Sequence, residues 1–295
     1  MKAARLQAFA KLNYALEVQG VRGDGYHEIS TVMQSISLAD ELEITRTREG
    51  FELVVEPGGV EVGPLEENTV YKVRKALERM VGVELPARIW LGKEIPAGAG
   101  LGGSSADAAA TLVGLNEIFD LGLSEAELRV AGLMVGADVP FCIMGGTALG
   151  EGIGEILSPL PGPPPHRLVV AKPAAGASTA RVYNAYDDRA KRERNAYVAP
   201  VAEALRTGDL EAMSRALGND LTGVTEEIVP EVRALREGFL RAGAMGAAMS
   251  GTGTAVFGVL GADVEAEGVA TRPGVHFVRV CEPVYRGVTL LQVSS

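Results

Sequence analysis

Apolar and polar positions alternate along most of the first 56 residues. LQAFAKLNYALEV (6–18), EISTVMQSISL (28–38), DELEITRT (40–47) and FELVVE (51–56) are rich in β-branched and aromatic side chains and are separated by turn residues, which predicts four strands. The period then changes. In NTVYKVRKALERM (68–80) the apolar Val70, Val73 and Leu77 share one helical face, with Asn68 or Thr69 placed to cap it. ARIWL (87–91) returns to a strand-like pattern. IPAGAGLGGSSAD (95–107) then leads into an alanine-rich helix starting near Ser104, with Ser104 in the N-cap place and Asp107 as its capping-box partner. SEAELRVAGLM predicts another helix, capped by Ser124 and Glu127. From Gly136 to Leu157 the chain is punctuated by glycines and predicts short strands, with Asp138 ahead of an apolar turn.

PLPGPPPH (159–166) is the most linker-like segment and predicts a domain boundary, giving domains 1–160 and 161–295. Beyond it RLVVAKP reads as a strand, a helix begins near Thr179, and helical segments follow around 199–217 and 227–242. AAMSGTGTAVFGVL then gives strand, glycine turn and strand. Strands and helices without a regular βαβ alternation predict an α+β protein.

Composition narrows the classes. With 47% hydrophobic and 22% charged residues the chain can bury a sizeable core. Its net charge of −10 argues against a nucleic-acid or anionic-membrane surface. Backbone N–H groups can still bind phosphate in an acidic protein. Two cysteines are too few for a disulfide framework and read as buried thiols. No run approaches the ~20 apolar residues of a membrane span, and MKAARLQAFAKLNYAL lacks a signal core. The expectation is a cytoplasmic protein.

The glycine run invites a dinucleotide reading, since Gly98, Gly100 and Gly103 fit G-x-G-x-x-G. Context removes it. Lys93, Glu94 and Pro96 separate the strand from the glycines, and no second strand ending in an acidic residue follows. A Walker A loop would need G-K-[ST]. Two readings remain at this point: a phosphate cradle at a helix N-terminus, or a capped helix after a flexible loop. Other candidates are equally double-edged taken singly. Lys11 with Asn13 sits in an apolar strand, Asp138 in a turn, Tyr26 and His27 in a glycine-rich connection, and Ser250-Gly251-Thr252-Gly253 between two apolar strands.

Together these pieces resemble the GHMP family of small-molecule kinases. Three motifs stand in the family's order: AFAKLN around Lys11, Pro96 to Ser105, and Met249 to Gly253. The resemblance implies a two-domain fold, with a ribosomal protein S5 domain 2-like N-terminal domain and a ferredoxin-like C-terminal domain. Asp24-Gly25-Tyr26-His27-Glu28 and Gly136-Ala137-Asp138-Val139-Pro140-Phe141 are similar to the branch that uses ATP to phosphorylate a cytidine-diphosphate-linked methylerythritol. The resemblance implies that Lys11 and Asp138 are catalytic. It assigns the ATP phosphates to Pro96, Ala97, Gly98, Ala99, Gly100, Leu101, Gly102, Gly103, Ser104, Ser105 and Ala106, with Asn68 and Lys93 as further nucleotide contacts. Ser105 would stand on the Mg2+ side, although which of Ser104 and Ser105 faces the phosphates stays open. Asn13, Tyr26, His27, Thr179 and Tyr183 would bind the substrate, its pyrimidine stacked between Tyr26 and Tyr183 and hydrogen-bonded by His27. The partner implied is a small molecule, and the protein a monomer or weak homodimer.

Overall fold

The computed structural model describes residues 2–56, 64–189, 195–261 and 275–294. Two long strands, β1 (Ala3–Val21) and β2 (His27–Arg46), form its spine as an antiparallel pair joined across Arg22 to Tyr26. The two strands expected within 28–47 are thus one strand. Both halves pair with the same partner, and nothing between them forces a turn. The sheet continues through β4 (Ala87–Gly92) to β3 (Phe51–Glu56), which runs parallel to β4, while β5 (Thr147–Glu151) and β6 (Ile156–Pro159) extend from β2.

Helices α1 (Thr69–Val81), α2 (Gly103–Ile118) and α3 (Glu125–Leu133) pack together, and α2 lies on β1 and β2. Asn68 caps α1 by accepting from Val70 N at 2.8 Å, and Ser124 and Glu127 form the predicted capping box. The cap expected at Ser104 is absent. Gly102, in the left-handed region at φ 69°, occupies the N-cap place of α2, so Ser104 lies inside the first turn. Asp107 is then free for another role. The stretch after Gly136 also departs from expectation. Val139–Met144 form the short helix α4, with Pro140 in its first turn, where proline costs no hydrogen bond.

The second sheet is antiparallel, in the order β11 (Val275–Cys281), β7 (Arg167–Pro173), β10 (Val256–Leu260), β9 (Gly246–Met249). Helix α9 (Glu231–Arg241) covers it. The helical stretch 199–217 divides at Gly208 into α6 (Val198–Thr207) and α7 (Leu210–Ala216). The stretch 227–242 divides near Pro230, with α8 (Thr222–Ile228) before it. Helix α5 (Thr179–Asp187), capped by Ser178, follows β7.

Hydrogen bonding does not respect a boundary at 160. The terminal strand β12 (Val288–Ser294) returns to pair with β1, and the two-residue β8 (Gly218–Asn219) pairs with it too. The strand β1 therefore belongs to both halves: Leu12 and Tyr14 lie in the larger core, and Leu16 lies in the core under the second sheet. Cys142 and Cys281 are both buried free thiols. Among the described residues no helix is long and apolar enough to cross a membrane.

Candidate active site

Lys11 and Asn13 owe their aim to the strand alternation of β1, whose even positions from Ala4 to Tyr14 all face the core. Its register against β2 slips between Phe9 and Lys11 and again between Asn13 and Ala15, on either side of the two residues. Ala10, Leu12 and Tyr14 enter the core, whereas Lys11 and Asn13 line a cavity of about 700 Å3. A buried ammonium must be paired to be tolerated. Lys11, only 4% exposed, donates to Asn13 Oδ1 at 2.9 Å and lies 3.4 Å from Asp138 Oδ2. Asn13 in turn donates to Thr31 Oγ1 at 2.8 Å, and Thr31 donates to the Ala15 carbonyl at 2.6 Å. This chain fixes the amide with its oxygen toward Lys11.

Asp138 immediately precedes α4 but makes no capping hydrogen bond, so its carboxylate is left to Lys11 and the cavity.

The glycine run is held on both sides. The Leu101 carbonyl accepts from Lys11 N, and the Ala99 carbonyl accepts from Ala255 N, each through the backbone. Ser250 Oγ donates to the Gly100 carbonyl at 2.9 Å. The glycines are required where the packing is closest. A Cβ on Gly102 would lie 2.8 Å from Lys11 Cγ, and one on Gly100 would lie 2.1 Å from the Ser250 carbonyl oxygen. The 249–253 turn is itself secured by Asn219, whose buried amide donates to the Met249 and Gly251 carbonyls.

The run lines a second cavity of about 540 Å3, with Asn68 and Thr69 on its rim. The two cavities share Gly98, Gly100, Gly102, Ser105 and Asp138. Ser104 is exposed and lines only the second, whereas Ser105 lines both, and its hydroxyl faces Gly136 beside Asp138. Of the residues expected to touch phosphate, Ala106 is the exception. It is buried in the core and lines neither cavity, because the first turn of α2 has already turned it inward.

Lys93 lines the second cavity, but its hydrogen bonds go to Asp40 Oδ2 at 2.5 Å and Asp107 Oδ2 at 2.7 Å. Two carboxylates therefore share one ammonium. Asp40 also accepts from the backbone N–H groups of Glu94 and Ile95. Asp107 Oδ1 is buried without a partner. Burial, with Asp40 nearby, pushes the Asp107 carboxyl up to about 8 despite Lys93. The folded chain thus holds a proton there that the unfolded chain releases near 3.8. Stability from this group is full below the unfolded value and is lost as pH rises through about 8. Asp107→Asn, a neutral isostere, is expected to flatten the fall in thermal midpoint between pH 5 and 9; melts of both proteins across that range check it.

The expected substrate residues Asn13, Tyr26, His27, Thr179 and Tyr183 all line the first cavity, so the fold brings them together. Their arrangement differs from a tyrosine sandwich. The ring stacked on Tyr183 is His27, with centroids 4.3 Å apart and planes 25° off parallel. His27 Nε2 lies 3.0 and 3.1 Å from the two Asp187 oxygens. Tyr26 stands 62% exposed on the hairpin rim. The physical reason is α5, which presents Tyr183 and Asp187 one turn apart to His27. Thr179 is paired with the Thr252 hydroxyl, tying α5 to the glycine turn. Burial pushes the Tyr183 phenol up to about 12.

A bulged strand carrying a lysine, a glycine run under a helix N-terminus and an aspartate at the join of two cavities describe a kinase of small molecules. Residues 68–146 match the GHMP kinases N terminal domain and residues 201–272 the GHMP kinases C terminal domain. The chain belongs to the GHMP kinase family. Within it, the chain is 46% identical over 276 residues to the 4-diphosphocytidyl-2-C-methyl-D-erythritol kinase of Moorella thermoacetica, covering 92% of this chain and 95% of that one. It is 40% identical over 291 residues to the enzyme of the same name from Shouchella clausii, covering 98% and 95%. A crystal structure of 4-(cytidine 5'-diphospho)-2C-methyl-D-erythritol kinase superposes with a TM-score of 0.78 at 32% identity, over 95% of this chain and 98% of that one. A homoserine kinase from Cytophaga hutchinsonii superposes with a TM-score of 0.80 at 18% identity, over 98% and 97%. The latter shares the fold alone, so shape does not choose the acceptor.

Proposed function

We propose that the chain transfers the γ-phosphoryl group of ATP to the 2-hydroxyl of 4-diphosphocytidyl-2-C-methyl-D-erythritol, in the non-mevalonate route to isoprenoid precursors. The observation that carries this reading is the meeting of the two cavities at Asp138, beside Lys11 and under the glycine run. ATP occupies the second cavity with its phosphates over the N-terminus of α2, where unpaired N–H groups and the helix dipole favour anions. The cytidine substrate occupies the first, its base near Tyr26, His27 and Tyr183 and its acceptor hydroxyl at Asp138.

In the transfer the hydroxyl oxygen forms a bond to the γ-phosphorus, the bond from that phosphorus to the ADP oxygen breaks, and the hydroxyl proton passes to Asp138. Lys11 holds the carboxylate in place and stabilises charge on the transferring group. Asn13 orients Lys11, and Asn68 and Lys93 support the nucleotide side, Lys93 through Asp107 and the floor of the cavity.

Mg2+ bound to the triphosphate supplies further neutralisation of charge. Among the described residues no cluster of three or more His, Cys, Asp or Glu side chains could hold a metal. The Ser105 hydroxyl, a hard oxygen donor lining both cavities, would be the protein ligand of such an ion. The test is ATP consumption measured separately with the cytidine-linked methylerythritol, homoserine and mevalonate. Turnover with the first is expected, and a preference for either of the others would refute the assignment.

A further inference from the structure

Asp187 lies outside the residues that line either cavity, yet it holds one that does. It belongs to α5, and its four-residue separation from Tyr183 places both on one face of that helix. The ring of His27 is gripped between them, stacked on Tyr183 and bonded through Nε2 to the Asp187 carboxylate. A carboxylate accepts hydrogen bonds and cannot donate them, so Nε2 carries the proton. In neutral His27 the other nitrogen, Nδ1, then offers a lone pair. Among the described residues no hydrogen bond engages Nδ1, and the one buried side-chain polar atom without a partner is Asp107 Oδ1, so Nδ1 is open to an incoming group. His27 is 11% exposed at its side chain and lines the first cavity.

We infer that Asp187 is a positioning residue that sets the tautomer of His27, so that the cavity prefers a base with an amino group over one with a carbonyl at the same edge. The inference rests on the first cavity being the cytidine site. Cytosine presents an amine donor where uracil presents a carbonyl acceptor. A lone pair on Nδ1 accepts from the first and repels the second. Replacing the carboxylate by an amide reverses the logic. An asparagine at this place can turn its NH2 toward Nε2, moving the ring proton to Nδ1 and making His27 a donor to the cavity.

The test compares wild type, Asp187→Asn and Asp187→Ala on cytidine- and uridine-diphosphate-linked methylerythritol, with KM for ATP measured alongside as a check on the folded nucleotide side. Wild type is expected to prefer the cytidine substrate. Asp187→Asn is expected to lower that preference by about tenfold or more, the loss of one well-placed hydrogen bond. Asp187→Ala is expected to raise KM for the cytidine substrate, with KM for ATP unchanged in both variants. A base preference equal to wild type in both variants would overturn the inference and leave the proposed function standing. No turnover of either substrate by wild type would overturn both.

Discussion

Asp138→Asn is expected to lower kcat by about 10²- to 10⁴-fold, the range for losing a positioned proton acceptor. The substitution keeps size and shape while removing the charge and the ability to take the hydroxyl proton. Lys11 keeps its 2.9 Å bond to Asn13 Oδ1, so the ammonium stays anchored. Asp138 caps no helix, and its side chain is 36% exposed. Removing its charge still leaves the buried Lys11 ammonium with neutral partners only, so a loss of thermal stability of about 1–3 kcal/mol is expected beside the kinetic effect. ATP affinity should hold within a few-fold. Single-turnover transfer and ATP titration on the same preparation separate these effects. Retention of wild-type kcat would remove Asp138 from the chemistry.

Gly100→Ala should produce the largest loss that touches no reacting group. Gly100 has φ 75°, where an L side chain costs about 1–2 kcal/mol. Its Cβ would also meet the Ser250 carbonyl oxygen at 2.1 Å. That oxygen belongs to the backbone of a turn held by Asn219, so no side chain can swing aside to relieve the contact. The glycine run must separate from the turn and give up the bond from Ser250 Oγ to the Gly100 carbonyl. A total cost of about 3 kcal/mol or more is expected, in the range of overpacking and backbone strain combined. Gly98→Ala is the matched control. Gly98 has φ 60° with nothing within 4 Å of its Cβ, so only the conformational cost applies. Thermal melts with and without ATP should show Gly100→Ala losing both stability and the nucleotide-induced shift. Equal effects in the two variants would argue against the close approach of loop and turn.

The parts of the site legible in the sequence were those written locally. The glycine run, the Asn68 cap and the 249–253 turn each announce a backbone requirement within a few residues, and the structure uses all three. What stayed hidden depends on contacts distant in sequence. Asp40, Lys93 and Asp107 are scattered over 68 positions and meet only because β2, β4 and α2 converge. The capping-box pattern at Ser104 and Asp107 misled because Gly102 starts the helix earlier and leaves Asp107 to the buried pair. Asp187 carried a faint signal in its spacing from Tyr183, but its partner His27 lies 160 residues away. Asn219 carried none, and the return of β12 to the first sheet depends on a strand pairing that no linker composition encodes. Alternation alone places Lys11 on the face away from the core, and only the distant glycine run, Asp138 and the 249–253 turn make that face a cavity, which is why Lys11 read equally well as an outward strand residue.

The central claim is that two nucleotide-bearing substrates meet end to end at Asp138. A crystal structure of the protein with cytidine diphosphate and a non-hydrolysable ATP analogue tests it most directly. The account predicts the adenine nucleotide in the cavity bounded by Asn68 and the glycine run, cytosine beside His27 and Tyr183, and the terminal phosphate pointing at the Asp138 carboxylate. Cytosine bound beside Asn68, or a terminal phosphate directed away from Asp138, would contradict it.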